Sequence, residues 1–332
     1  MSVIVNFVRL ASAAAICGWL ACWSLAKDAP APVGGAEFPI AATVNGDPVY
    51  VGEVEAMALK LSNGAKMTGN SAIYRKADAL RQLITRRLGE AVLTRDEQYV
   101  KKAEVDKAIA DLKAQAEARK GTLEQYAARQ HIPVDALRHD FTWNIGWARY
   151  LEAHLTASLE SYFKKHHQNY DGTLVRASHI LLRLSHPGET TEQLVEKAER
   201  IRAEIEAEST TFEQAAAKHS AGPSRNHGGD LGFFPRFGVM VDDFSRTAFN
   251  LEQGKVSKPV VSPFGVHLIR VTEIKPGSKQ WTETIDQIRD PATLDLFERL
   301  AKEERVKAKI EFTGKSPYLK PGTNELVVGT SK

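Results

Sequence analysis

Two short segments, VRASHILL at residues 175–182 and FGVHLI at 264–269, set apolar side chains on a two-residue period. That period belongs to a β-strand with a core-facing side. Val175, Ala177, His179 and Leu181 share one face of the first, and His267, Ile269 and Val271 share one face of the second. Each strand therefore carries a histidine into an apolar row. Between them lies GGDLGFF at 228–234, inside a stretch rich in Gly, Pro, Ser and Asn where the backbone must turn sharply. Residues 191–206 have helical periodicity. Thr210 with Glu213 predicts a capping box for a helix ending at His219, and Asp242 or Asp243 predicts the cap of a short helix through Phe249. Strand, two helices, strand, helix, strand is the order of a small α+β domain with an antiparallel sheet.

The flanking regions are mostly helical. Residues 40–51 read as a hairpin around Asn45-Gly46. Residues 71–97 place Ile73, Leu80, Leu83, Ile84, Leu88 and Val92 at three- and four-residue spacings. Arg75, Arg81, Arg86 and Arg87 then fall on a solvated face. Further helices are predicted over 102–120, 122–130 (Thr122 and Gln125 as a capping box), 133–155 and 158–167, ending in the turn-rich 169–172. After the two-histidine region, 281–309 predicts a charged amphipathic helix broken near Asp290-Pro291, then a short strand over 308–312.

At 332 residues the length suits about two domains. The first 26 residues hold Arg9, an apolar run to Ala26 and small residues before Lys27, the pattern of a secretory signal or a membrane tether. Both cysteines, Cys17 and Cys22, lie within it, so the remainder has no disulfide framework and no thiolate chemistry. With a net charge of +3 spread through the chain, nothing favours a nucleic acid as partner. The adjacent His166-His167 point apart on a helix, and no HExxH, GxSxG, Walker or GxGxxG pattern occurs. No metal and no cofactor is expected.

From Val175 to about Ile274 the spaced blocks VRASHILL, GGDLGFF and FGVHLI resemble the parvulin family of peptidyl-prolyl cis/trans isomerases. The region before them, with VNGDPV and RQLITRRL, resembles more loosely the helical part of secreted foldases of the SurA and PrsA type. The resemblance implies four stretches: 1–26 as signal or anchor, 27–172 as a helical chaperone-like region, 173–276 as the isomerase module, and 277–332 as a tail packing on the first helices. It also assigns roles. Leu231, Phe234, Met240 and Phe244 would form a proline pocket, though core packing accounts for Leu231 and Phe234 equally well. His179 and His267 would be a neutral hydrogen-bonded pair, with Ser262 in their polar network. Gly222 stands where the family commonly has Cys or Asp, leaving Ser220, Ser224 or water to substitute. A single arginine, Arg183, follows the first strand, against selectivity for phosphorylated substrates. The implied function is an exported, periplasmic or otherwise extracytoplasmic isomerase acting on unfolded, proline-containing polypeptide clients. The alternative is a holdase that grips such clients without turnover. The sequence leaves the oligomeric state open.

Overall fold

A computed structural model describes residues 38–65, 67–320, 323 and 325–328. The signal or anchor read at 1–26 lies outside the described residues. Among those described, no helix is long and apolar enough to cross a membrane. The fold is α+β. The chain divides into two compact units, one made of the residues up to Thr156 together with those from Thr293 on, the other Ala157–Ala292.

The first unit begins with β1 (Ile40–Val44) and β2 (Asp47–Tyr50). Asn45 and Gly46 both have positive φ, 54° and 93°, the requirement of a two-residue turn whose twist matches the strands. A third strand, β7 (Ile310–Phe312), pairs antiparallel with β1, giving the order β2-β1-β7. The helices are α1 (Val51–Leu61), α2 (Gly69–Leu93), α3 (Lys102–Ala118), α4 (Leu123–Arg129) and the start of α5 (Val134–His166). Val49, Val54, Leu80, Leu83, Leu88 and Ala301 meet in one core.

Several expectations are corrected here. The sequence reading had no helix at 51–61, although Val54, Met57, Ala58 and Leu61 carry the helical spacing. The two helices predicted over 133–155 and 158–167 are one, Val134–His166. No proline interrupts 134–166, and Gly146 sits against Leu93 and Val100, where it lets the helix approach closely. Pro291 does not break α9 (Ile285–Lys307). Its ring removes one backbone donor, but Ile288, Ala292, Leu296 and Leu300 recur four residues apart and are all buried. Arg87 is not solvated. It is buried between Glu53 at 2.7 Å and Glu90 at 3.3 Å, and Glu90 also meets His139 at 2.7 Å.

In the second unit β3 (Leu174–Leu182), β4 (Asp230–Pro235), β5 (Val260–Ser262) and β6 (Gly265–Lys275) form an antiparallel sheet in the order β4-β3-β6-β5. Both faces are covered, so the expected single core face is only half the picture. Ile180, Leu182, Val266 and Leu268 pack with α6 (Thr191–Glu206) and α7 (Phe212–His219) through Leu194, Ile201 and Phe212. Val175, Ala177, Ile269 and Val271 pack on the other side with Phe234 and with Phe244 and Phe249 of α8 (Asp242–Asn250). Two caps differ from expectation. Thr211 and Gln214, not Thr210 and Glu213, form the box on α7, with Glu213 paired to Arg270 instead. Val241 occupies the cap position of α8, and the Asp242 carboxylate, already inside the first turn, meets Arg236 at 2.8 Å.

Candidate active site

The register of β3 against β6 sets His179 opposite Ile269 and Leu181 opposite His267. Both imidazoles project from the face covered by α8. Their Nδ1 atoms are 3.4 Å apart, and His267 Nε2 is 2.7 Å from Ser262 Oγ. The proton order follows from the partners. Ser262 Oγ accepts the Phe264 N–H at 3.1 Å, and its other acceptor, the Gly265 carbonyl, is 3.4 Å away. The hydroxyl proton therefore goes to His267 Nε2. A neutral imidazole has one N–H, so His267 donates from Nδ1 to His179 Nδ1, and His179 holds its proton on Nε2. This tautomer is assigned from the network. Phe244 stands edge-on to both rings, at 5.8 Å from His179 and 5.4 Å from His267.

Among the described residues, His179 Nε2 is buried without a hydrogen-bond partner. It faces Gly222, where a Cβ would come within 3.0 Å of it. Ser220 does not fill that role. Its Oγ accepts the backbone N–H of Leu181 and of Gly222, both at 3.1 Å, which ties the loop to the sheet. Ser224 Oγ is likewise buried without a partner among the described residues.

The loop before β4 approaches β3 as only glycine allows. Gly229 has φ of 78°, its carbonyl accepts the His179 N–H at 2.9 Å, and a Cβ there would lie well inside contact with the His179 carbonyl. Asp230 holds the turn rather than facing a ligand. Arg176 binds it through two nitrogens at 2.7 and 3.2 Å, and Gly232 N–H donates to it at 3.1 Å. Arg176 beside it holds the Asp230 carboxyl below its ordinary range. The sequence reading did not include Arg176, whose signal was a charged residue inside an otherwise apolar strand.

Of the four proposed pocket residues, Leu231 and Met240 are partly exposed at the edge of the cluster, while Phe234 and Phe244 are buried within it. Phe234, 1% exposed, is floor rather than contact surface. A separate cavity of about 290 Å³ adjoins the site. Ser262 lines it, with Arg183, Leu184, Val261 and Phe264, and none of the four pocket residues does.

Both histidines are held below their usual range, His179 by burial and His267 to about 4 by burial first and then by His179 and Arg183. An unfolded histidine titrates near 6.5, so between about 6.5 and 4 the unfolded state binds more protons. The stability owed to the neutral pair is complete above about pH 6.5 and is lost as pH falls through about 4. Thermal melts from pH 7 to pH 4 should show this fall, with a shallower fall in His267→Asn. Parallel profiles for the two proteins would contradict it.

Residues 161–275 match the family described as the PPIC-type PPIASE domain. The foldase protein PrsA of Bacillus subtilis (strain 168) is 38% identical over 99 residues, 30% of each chain. Chaperone SurA of Albidiferax ferrireducens is 35% identical over 117 residues, 35% of this chain and 25% of that one. The chain thus spans about half or less of the length of these curated relatives. Among solved structures, the crystal structure of PrsA from Bacillus subtilis aligns with 82% of this chain and 92% of its own at 23% identity, with a TM-score of 0.27. The solution structure of TbPIN1 aligns with 30% of this chain and 97% of its own at 27% identity, with a TM-score of 0.29. With its facing histidines, glycine loop and matched span, the segment 161–275 of this chain is a parvulin-type domain.

Proposed function

We propose that the protein is a peptidyl-prolyl cis/trans isomerase that assists the folding of exported polypeptides. The observation that carries this reading is the Ser262–His267–His179 chain lying beneath Phe244 beside the partly open Leu231 and Met240. Rotation about an X-Pro bond breaks no covalent bond but faces a barrier of about 18–20 kcal/mol. At the half-turned state amide resonance is lost and the charge separation of the planar imide falls. An apolar, water-poor slot favours that state over the planar one. Lowering the barrier by about 4 kcal/mol accelerates exchange roughly a thousandfold. The histidines, neutral and hydrogen-bonded to each other, orient a polar floor and exchange no proton with the client.

In this reading the regions 27–172 and 277–332 serve as one client-holding body, interrupted in sequence by module 173–276. The pairing of β1 with β7 supports it. The signal-like pattern of residues 1–26 supports work outside the cytoplasm, with a membrane tether as one form of that segment.

The test is a proline-peptide isomerisation assay on the full protein beside Met240→Ala and Phe244→Leu, with circular dichroism to verify folding. Both variants should lose about tenfold or more in kcat/KM, since Met240→Ala opens the rim of the slot and Phe244→Leu removes the buried ring that stands edge-on to both histidines. Phosphorylating the residue before proline should bring no gain. Wild-type protein turning over at the uncatalysed rate would overturn the proposal and leave a proline-gripping holdase.

A further inference from the structure

The turn between β1 and β2 holds a reactive pair that the isomerase reading does not use. Asn45 is followed by Gly46, and both are exposed to water. Glycine has no side chain to shield its nitrogen, so an Asn-Gly pair is the dipeptide most open to cyclisation. The Gly46 nitrogen attacks Asn45 Cγ and loses its proton. The side-chain nitrogen leaves as ammonia, and a five-membered succinimide remains. Water then opens the ring at one of its two carbonyls. One opening leaves an aspartyl residue at position 45. The other leaves an isoaspartyl link, in which the main chain runs through the former side chain. Water is the one co-reactant.

The fold decides whether the ring can close. Asn45 has φ of 54°, in the left-handed region. There ψ is near +47°, which turns the next nitrogen roughly 170° away from Cβ about the Cα–C bond. Closure needs those two atoms nearly eclipsed. The turn therefore keeps the Gly46 nitrogen on the far side of the backbone from the carboxamide. Two hydrogen bonds fix Asn45 in that state, and both come from Lys309, just before β7. Asn45 N–H donates to the Lys309 carbonyl at 2.8 Å, and Lys309 N–H donates to Asn45 Oδ1 at 2.9 Å.

A second pair, Asn63-Gly64, supplies the comparison. It is also exposed and also has positive φ, 50° and 80°. Its two N–H groups donate to the Lys60 carbonyl at 3.0 Å and the Leu59 carbonyl at 2.9 Å, at the end of α1. Its turn is thus held by its own helix, not by the tail.

We propose that Asn45-Gly46 is a deamidation site gated by the tail, closed while Lys309 is docked on it and open when β7 leaves β1. The aspartyl product still offers an oxygen to Lys309 N–H. The isoaspartyl product adds a carbon to the main chain, so it cannot remake the turn that sets Val44 opposite Asp47. Loss of the tail contact is thereby converted into a permanent covalent mark.

The experiment incubates the full protein at mildly alkaline pH and follows both asparagines by mass spectrometry of tryptic peptides, with the isoaspartyl form separated by chromatography. In urea the two sites should react at similar rates. In the folded wild type both should be about tenfold slower or more. Lys309→Pro lacks the N–H that holds Oδ1, and should speed Asn45 about five- to tenfold while leaving Asn63 at the wild-type rate. Where circular dichroism shows that variant unfolded, Ile310→Ser replaces it, since it keeps the N–H but weakens the apolar hold of β7 on the core. Asn45 reacting as fast in the folded protein as in urea would overturn the proposal. So would an unchanged Asn45 rate in the folded variant, or an equal rise at Asn45 and Asn63.

Discussion

Gly229→Ala should abolish proline-peptide turnover and destabilise the parvulin-type unit by about 2–4 kcal/mol. Two effects add at this position. An alanine at φ of 78° is strained by about 1–2 kcal/mol. Its methyl group would also press on the carbonyl of His179, one residue's backbone away from the imidazole that meets His267. Relief requires the loop to lift from β3, which breaks the Gly229 carbonyl bond to His179 N–H. Gly232 is the control, with φ of 70° and open space where its Cβ would stand. Gly232→Ala should therefore cost only the strain, about 1 kcal/mol. Denaturant titrations of the two variants, followed with the isomerisation assay, make the comparison. Equal losses would show that the contact with His179 contributes nothing.

Arg87→Ala should destabilise the helical unit by about 3–5 kcal/mol. The guanidinium is buried between Glu53 on α1 and Glu90 on α2, with His139 of α5 on the far side of Glu90. Burial already raises the Glu53 carboxyl above the ordinary carboxylate range, and Arg87 is the largest influence pulling it back. Without Arg87, Glu53 is left as an unpaired buried acid. Glu53→Gln/Arg87→Met should be less destabilised than Arg87→Ala, because it removes the stranded charge together with its partner. Unfolding followed by tryptophan fluorescence reads this unit through Trp143 and Trp147, which stack on each other 5.3 Å apart and meet Phe297. Equal midpoints for the single and double variants would contradict the expectation.

These two sites differ in how openly the sequence displays them. The glycine pair before Asp230 announces a sharp turn by composition alone, and α6 occupies the predicted 191–206 because a strong amphipathic pattern follows the Thr190–Gln193 cap. Arg87 gave no such sign. Its place in a helix rich in arginine suggested solvent, and only the packing of α1, itself unread, closes a carboxylate over it. The strand β5 was missed because three residues are too few to establish a period. The site shows the same division. The sequence names His179, His267 and Ser262, but the direction of their protons needed distances of 2.7, 3.1 and 3.4 Å. Tyr170 and Phe237 meet with two sheet strands and two α-helices between them in the chain, and no local pattern links them.

The pairing of β1 with β7 has a consequence for how the polypeptide matures. Asn45 and Lys309 bond to each other across 264 positions. The unit of Ala157–Ala292, by contrast, is one uninterrupted stretch. Emerging from the ribosome, that stretch has every partner it needs as soon as α9 begins, whereas the hairpin at the front must wait for the tail to bring its third strand. A chain built in this order completes its parvulin-type unit before the hairpin gains its third strand, and a truncation within β7 would leave the hairpin's unit incomplete while sparing the parvulin-type one.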